Sequence, residues 1–210
     1  RYDNASTDGS GDICADYAAR YPQQIRHVRQ AQNIGAFENM KMALADCTTP
    51  YFSILGSHDQ LTAGYSLPLL ATLEKDAGLS LACGSIQHID ESGTHLKKRT
   101  TAYWINDTQA LPPLARVDAF VRKLRDCFAF YGVFRTDALR RAWHAEASLG
   151  FDRIVLIRTA AQGKVVYVPE SVFLARDFVT SRKSEDDRTR HVRELALVPA
   201  AKSNFQRNHS

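Results

Sequence analysis

The sequence predicts an α/β domain with a mostly parallel central sheet. Short apolar segments that are typical of strands, at residues 51–55 and 79–89, alternate with segments of helical periodicity. Polar clusters follow predicted strands, and open α/β sheets bind their ligands at the carboxyl ends of strands. The 210 residues are 44% hydrophobic and 24% charged, which suits one domain with a small appendage and excludes a largely disordered chain.

The elements follow from apolar periodicity and from turn residues. The predicted strands cover residues 25–28, 51–55, 79–89, 128–134, 165–168 and 172–175. The predicted helices begin near residues 13, 35, 67, 117, 136 and 152. Thr136 is expected to cap its helix and Gly163 to end the last one. In the helix that Gly35 opens, Phe37, Met40 and Leu44 are expected in the core.

Charge and cysteine content exclude several classes of protein. The net charge of +4 suits an anionic small molecule, whereas a dedicated nucleic-acid binder has a denser basic stripe. No stretch approaches the roughly 20 apolar residues of a membrane-spanning helix. The four cysteines lie tens of residues apart, which indicates separate reduced thiols in a cytoplasmic protein rather than a zinc site or a disulfide scaffold.

Two polar clusters come at the ends of predicted strands. Asp3 and Asn4 form one, and His58 and Asp59 belong to the other. If their strands share a sheet, these side chains face one crevice. An Asp or Asn can hydrogen-bond a base or a ribose, and a carboxylate can hold a divalent cation that binds a diphosphate. The alternative is that the first cluster is only a turn and the second only a helix cap.

Short motifs occur in a consistent order along residues 3–182. They are DNASTDGS from Asp3, NIG from Asn33, YFSILGSHD ending at Asp59, GVFR from Gly132, LGFD ending at Asp152 and LAR ending at Arg176. This order resembles family 2 glycosyltransferases, a large inverting group. The resemblance implies the GT-A fold, a three-layer sandwich also described as nucleotide-diphospho-sugar transferase-like.

The resemblance also implies roles for the matching positions. The residues that would contact the nucleotide sugar are Asp3, Asn4, Asn33, Gly35, His58 and Arg176. Asp59 would coordinate Mg²⁺ or Mn²⁺ that bridges the diphosphate, and the metal would neutralise charge on the leaving group. Asp152 would be the general base that takes a proton from the acceptor hydroxyl.

The sequence departs from the family pattern in three places. Asp59 is one carboxylate where two or three are common, and Phe178 stands where many members have a histidine, so the need for a metal is left open. His58 is either a ligand or a local polar contact. The chain begins at Arg1 inside the polar turn. We therefore expect a truncated GT-A domain over residues 1–180, without the first strand and helix of the family.

These observations predict an inverting glycosyltransferase that moves a sugar from a nucleoside diphosphate sugar to a hydroxyl acceptor, in cell-surface polysaccharide synthesis. The alternatives are a non-catalytic module that binds a nucleotide or a sugar, and a nucleotidyltransferase. The acceptor would be a saccharide or a lipid-linked molecule. Tyr103 and Trp104 would either stack on it or cover the core.

The charged tail at residues 181–210 carries a further alternative. Its basic residues are Arg188, Arg190, His191 and Arg193. They would contact an anionic membrane or form a solvated helix face, and the acidic residues among them favour the solvated face. We expect a cytoplasmic protein without a nucleic-acid partner. A lipid-linked acceptor would bring it to the inner face of the membrane as a peripheral contact.

Overall fold

A computed structural model describes residues 1–143 and 150–178 of the chain. Contacts within the chain divide it into two units. The described part of the first is Arg1–Ala43, and that of the second is residues 44–143 and 150–178. The predicted boundary at residue 180 and the tail at 181–210 lie at or beyond the end of the described residues, so the domain division stays a prediction.

The first unit contains a two-stranded parallel sheet and two helices. Its strands are β1 (Tyr2–Asp3) and β2 (Val28–Arg29), and its helices are α1 (Ser10–Arg20) and α2 (Ala36–Ala45), of which the last two residues belong to the second unit. Gly9, with φ of 82°, precedes α1 in the left-handed conformation that glycine adopts without strain. The sheet places the polar loop after Asp3 beside the segment that follows Arg29.

The second unit is built on a six-stranded sheet. Its strands are β3 (Tyr51–Ser53), β4 (Gln60–Leu61), β5 (Leu79–Ile89), β6 (His95–Thr100), β7 (Val133–Arg135) and β8 (Lys164–Arg176). The order is β3-β7-β5-β8-β4, and β6 pairs with β5. Strands β5 and β8 form the long parallel centre of the sheet.

The expected mostly parallel sheet is corrected to a mixed one. Among the described strands, only β1–β2 and β5–β8 are parallel pairs, and the pairs of β3, β4 and β6 are antiparallel. Parallel neighbours need a crossover, usually a helix. No helix separates β5 from its neighbour β6, and a tight turn at residues 90–94 reverses the chain between these two strands.

Helices cover this sheet on two faces. They are α3 (Ser66–Lys75), α5 (Thr136–Ala142) and α6 (Phe151–Gln162), and a further helix, α4 (Pro113–Lys123), packs on α6. Leu69 and Leu73 of α3 are fully buried in a cluster with Val168 and Phe173 of β8. Helix α6 also packs on β5 and β8, and Val165 is buried outside that cluster. Because side chains alternate along a strand, the second unit has an α/β/α layering.

Candidate functional site

Asp59 lies in a tight turn between β3 and β4. Its backbone N–H donates to the Gly56 carbonyl at 3.2 Å. Its side chain is only 5% exposed, and Oδ1 accepts a hydrogen bond from the Arg176 backbone N–H at 2.9 Å. A Cβ at Gly56 would lie 2.6 Å from Asp59 Oδ2, so a larger residue at this position would displace the carboxylate. The turn therefore holds this carboxylate in one orientation.

The Arg176 side chain ties this turn to a second one. Its Nε donates to the His58 carbonyl at 2.8 Å, and its Nη1 donates to the Asp90 and Glu91 carbonyls at 2.8 and 2.7 Å. We expected Arg176 to contact the nucleotide sugar. The structure directs these donors to backbone carbonyls, so the side chain positions the Asp59 turn.

His58 is the exposed member of this turn. Its side chain is half exposed, and Nε2 lies 3.6 Å from Asp59 Oδ2. The ring of Phe178 packs edge-on against the imidazole at 5.6 Å between centroids. The aromatic residue at position 178 thus contacts His58, at the position where a second histidine is common in family 2.

Asp152 lies in the first turn of α6, beside Cys127 and Tyr131. Burial is the main cause that raises the pKa of the Cys127 thiol to about 12, and the Asp152 carboxylate, which accepts a hydrogen bond from that thiol, contributes to this rise. Burial also raises the pKa of Tyr131 to about 12, helped by the negative charges of Asp59 and Asp152. The two predicted carboxylates therefore act on the same phenol, and the second unit brings them to one region.

The other predicted residues gather in the first unit. Asn4 accepts a hydrogen bond from the Ile34 N–H at 2.8 Å and donates to Asn33 Oδ1 at 2.7 Å. Asn33 Oδ1 also accepts from the Gly35 N–H at 2.9 Å. Gly35 has a φ of 82°, which favours glycine. The loops after β1 and β2 are thus joined by amide side chains.

Asp3 is buried, with 4% of its surface exposed. The hydrogen bonds from Ser6, one of them from the backbone N–H to Oδ1 at 2.9 Å, hold the pKa of Asp3 below its usual value, and the charges of Arg29 and His27 act in the same direction. Oδ2 lies 3.6 Å from Arg29 Nη1 and 3.8 Å from His27 Nε2. We expected a direct contact between Asp3 and the nucleotide, whereas Asn4 is the more accessible of the two side chains.

Sequence reasoning missed the neighbours of Asp152. The spacing of the cysteines indicates only that Cys127 is a separate thiol, and no sequence pattern indicates a role for Tyr131. Both belong to the aromatic segment CFAFY, directly before the GVFR motif. That proximity to a motif was the available signal, but apolar residues before a strand more often indicate core.

The described residues contain neither a cluster of metal ligands nor a helix that could span a membrane. Within residues 1–143 and 150–178, no three His, Cys, Asp or Glu side chains group as ligands for a metal ion. In the same part of the chain, every helix is too short or too polar to cross a membrane.

Comparison with solved structures identifies the fold. A mannosyltransferase from Pyrobaculum calidifontis, PcManGT, solved in complex with GDP-Man and Mn²⁺, superposes with a TM-score of 0.58 at 16% identity, over 92% of this chain and 51% of that one. TarS from S. aureus superposes with a TM-score of 0.57 at 12% identity, over 83% of this chain and 49% of that one. Both likenesses agree with the GT-A fold expected from the sequence.

Sequence comparison gives the family. Uncharacterized proteins of Mycobacterium tuberculosis and Mycobacterium bovis are 29% identical over 115 residues, which are 54% of this chain. The matched segment spans about a third of those relatives, 33% of their length. The family model described as glycosyl transferase family 2 matches residues 2–143. The chain therefore belongs to glycosyl transferase family 2 and has the GT-A fold.

Proposed function

We propose that the chain transfers a sugar from a nucleoside diphosphate sugar to a hydroxyl acceptor, with inversion at the anomeric carbon. The observation that carries this proposal is the effect of Asp59 and Asp152 on one phenol, that of Tyr131. Direct displacement needs one group at the leaving diphosphate and another at the attacking hydroxyl. Two carboxylates in one region of the second unit supply both groups.

Asp59 is the residue that would hold a divalent cation. Mg²⁺ is usually bound by one or two carboxylates together with phosphate oxygens of the substrate, so a single carboxylate suffices. Oδ1 of Asp59 is occupied by the Arg176 N–H, which leaves Oδ2, beside Gly56, as the ligand atom. A bound Mg²⁺ or Mn²⁺ would neutralise charge that grows on the departing nucleoside diphosphate.

Asp152 is the base in this proposal. It would take the proton of the acceptor hydroxyl while the acceptor oxygen bonds to the anomeric carbon and the bond to the diphosphate oxygen breaks. The Cys127 thiol donates to the Asp152 carboxylate and so restricts its orientation. A positioned base of this kind accelerates a reaction by roughly 10²–10⁴-fold.

The nucleoside is assigned to the first unit. Asn4, Asn33 and Gly35 would contact the base and the ribose, and buried Asp3 would hold the loop that carries Asn4. The joined loops after β1 and β2 support this assignment. The acceptor would be a saccharide or a lipid-linked molecule of cell-surface polysaccharide synthesis in the cytoplasm, as the family resemblance suggests.

Calorimetry with UDP and GDP, with and without Mn²⁺, tests the donor site. We expect binding that requires Mn²⁺ in the unaltered chain, its loss in Asp59→Asn, and its retention in Asp152→Asn. Asparagine keeps the Oδ1 acceptor for the Arg176 N–H, so the turn should persist. Asp137→Asn, which changes an exposed carboxylate in the first turn of α5, is the matched control. Metal-dependent binding that survives in Asp59→Asn would overturn the assignment.

A further inference from the structure

A cavity of about 210 Å³ lies in the second unit, and no residue of the Asp59 turn lines it. Residues of β5, the segment after β6 and the end of α4 line it. Drug-sized ligands occupy sites of roughly 300–1,000 Å³, so this cavity takes one ring or one small group. The residues that line the cavity indicate which chemical group it would bind in the proposed reaction.

Aromatic side chains form the rigid part of the wall. The indole of Trp104 packs edge-on against buried Phe120 at 5.0 Å between centroids. Phe128 packs edge-on against His88 at 5.4 Å, and His88 is itself buried and bonded to Asp177. Because Trp104 and Phe128 each pack against another ring, their orientation is fixed and they present apolar surface to the cavity.

The polar part of the wall contains donors and acceptors together. Thr101 and Arg125 are exposed at the cavity, and Arg125 forms no ion pair with a described residue. Asp126 accepts the Phe128 N–H at its Oδ1, which leaves its Oδ2 as an acceptor. A sugar ring has an apolar C–H face and a rim of hydroxyls that donate and accept. An aromatic wall with both kinds of polar group matches that pattern better than it matches an alkyl chain.

Part of the cavity wall is adjacent in sequence to a partner of the proposed base. Asp126 and Phe128 line the cavity, and Cys127 between them donates its thiol hydrogen to Asp152. Two residues that flank a partner of Asp152 thus face the cavity. A ring bound there would lie on the side of the second unit where the acceptor hydroxyl is needed.

We propose that this cavity binds a sugar ring of the acceptor, so that the substrate class is a saccharide recognised through Trp104. The inference rests on the proposed function, and it selects between the two kinds of acceptor left open there. The proposal also gives different roles to the neighbouring residues Tyr103 and Trp104. Trp104 lines the cavity, whereas Tyr103 is 60% exposed and packs on Tyr167 outside it.

Saturation-transfer NMR with the methyl glycosides of glucose, galactose and mannose tests this proposal. We expect at least one glycoside to receive saturation at its ring protons, and the effect to fall several-fold in Trp104→Leu. Thr101→Phe, which fills the mouth from an exposed position, should give the same loss without disturbing the packing of Trp104 on Phe120. Tyr103→Leu is the matched control and should bind as the unaltered chain does.

Three outcomes would overturn the proposal. The first is that no glycoside receives saturation, and the second is that the glycosides receive as much saturation from both cavity variants as from the unaltered chain. The third uses glycerol 3-phosphate as an additional probe: saturation of this compound alone would indicate a site for a phosphate group instead of a sugar. Nucleotide binding by calorimetry is measured on the same samples. If Mn²⁺-dependent nucleotide binding is present while glycosides fail to bind, the proposed function stands and the acceptor inference alone is wrong.

Discussion

Arg176 shows how one side chain can hold two turns together through their backbone carbonyls. It caps three carbonyls and its backbone N–H orients Asp59. We predict that Arg176→Met destabilises the chain by about 1–3 kcal/mol, because three carbonyls lose their hydrogen bonds to a charged donor. It should also weaken Mn²⁺-dependent nucleotide binding. Urea unfolding and calorimetry measure the two effects.

The control for Arg176 is another guanidinium with a different partner. Arg122 pairs with Asp118 on an exposed face of α4, where ion pairs contribute little. Arg122→Met should leave both measurements unchanged. If Arg176→Met reduces stability and nucleotide binding no more than Arg122→Met does, the positioning role is wrong.

The Cys127 thiol reports on Asp152 directly. Burial, followed by the Asp152 carboxylate, raises the pKa of this thiol, so little thiolate is present near neutral pH. We predict that Asp152→Asn lowers the pKa and speeds alkylation of Cys127 by iodoacetamide at about pH 9. Mass spectrometry of the Cys127 peptide gives the rate. An unchanged rate, with Asp137→Asn as the reference, would show that the carboxylate does not act on the thiol.

The site could be predicted from the sequence only where a motif carried it. Asp59 and Asp152 were found because each ends a short motif. The use of Arg176 for backbone carbonyls was not predictable, since three acceptors from two distant turns leave no pattern in the sequence. Thr136 was expected to cap its helix, yet its hydroxyl donates to the Thr49 carbonyl at 2.8 Å.

At the scale of elements, apolar runs predicted some strands well and others poorly. The strand expected at 128–134 is limited to β7, because Phe128–Tyr131 form a 3-10 helix. Strand β5 has the predicted limits, Leu79–Ile89. The two strands expected at 165–168 and 172–175 form one strand, β8, and the expected break coincides with a shift of register between Gly84 and Ser85 on β5. Strand β4 has two residues, and β6 (HLKKRT) is largely polar, so neither has an apolar signature.

Helices were located correctly, but burial of their faces was less predictable. Helix α1 was expected from Ile13 and Tyr17, and both are exposed, at 61% and 46%. In α2, Phe37 and Leu44 are buried as expected, whereas Met40 is only half-buried. Periodicity gives the conformation of a segment, whereas burial depends on which element packs against it.

The entry into β7 offers a test of packing between elements. A Cβ at Gly132 would lie 2.4 Å from the Ala82 carbonyl oxygen of β5. We predict that Gly132→Ala destabilises the chain by about 1–3 kcal/mol, because backbone must shift. Gly78→Ala is the control, since its Cβ would meet only the ends of the Asp76 and Lys164 side chains. Equal unfolding midpoints in urea for the two variants would contradict the close approach.

At the scale of the whole molecule, acid should weaken both units. The Asp3 pKa is lowered mainly by hydrogen bonds from Ser6. Burial opposes ionisation of Asp177, but hydrogen bonds from Lys98 and His88 outweigh it and lower the pKa of Asp177. Carboxyls with a lowered pKa stabilise the folded chain above the unfolded value near 3.8, and this stability is lost as the pH falls through the folded pKa.

Variants of these two carboxyls make that expectation measurable. Asp3→Asn and Asp177→Asn should lower the unfolding midpoint at neutral pH, and the difference from the unaltered chain should shrink below about pH 4. Asp137→Asn, whose carboxyl is exposed, should cause little change at either pH. A difference that stays constant on acidification would mean that neither charge contributes to stability.

A variant of Asp152 distinguishes catalysis from nucleotide binding, because the proposed base acts only in the chemical step. Removal of a general base slows a reaction by roughly 10²–10⁴-fold, so Asp152→Asn should lower kcat by that factor while nucleotide binding persists. Asp137→Asn, at the same position in the first turn of a neighbouring helix, should keep full activity. The proposed direct attack of the hydroxyl predicts an inverted anomeric carbon, which NMR of the product would show. Full activity in Asp152→Asn, or a product with the configuration of the donor, would exclude the proposed displacement.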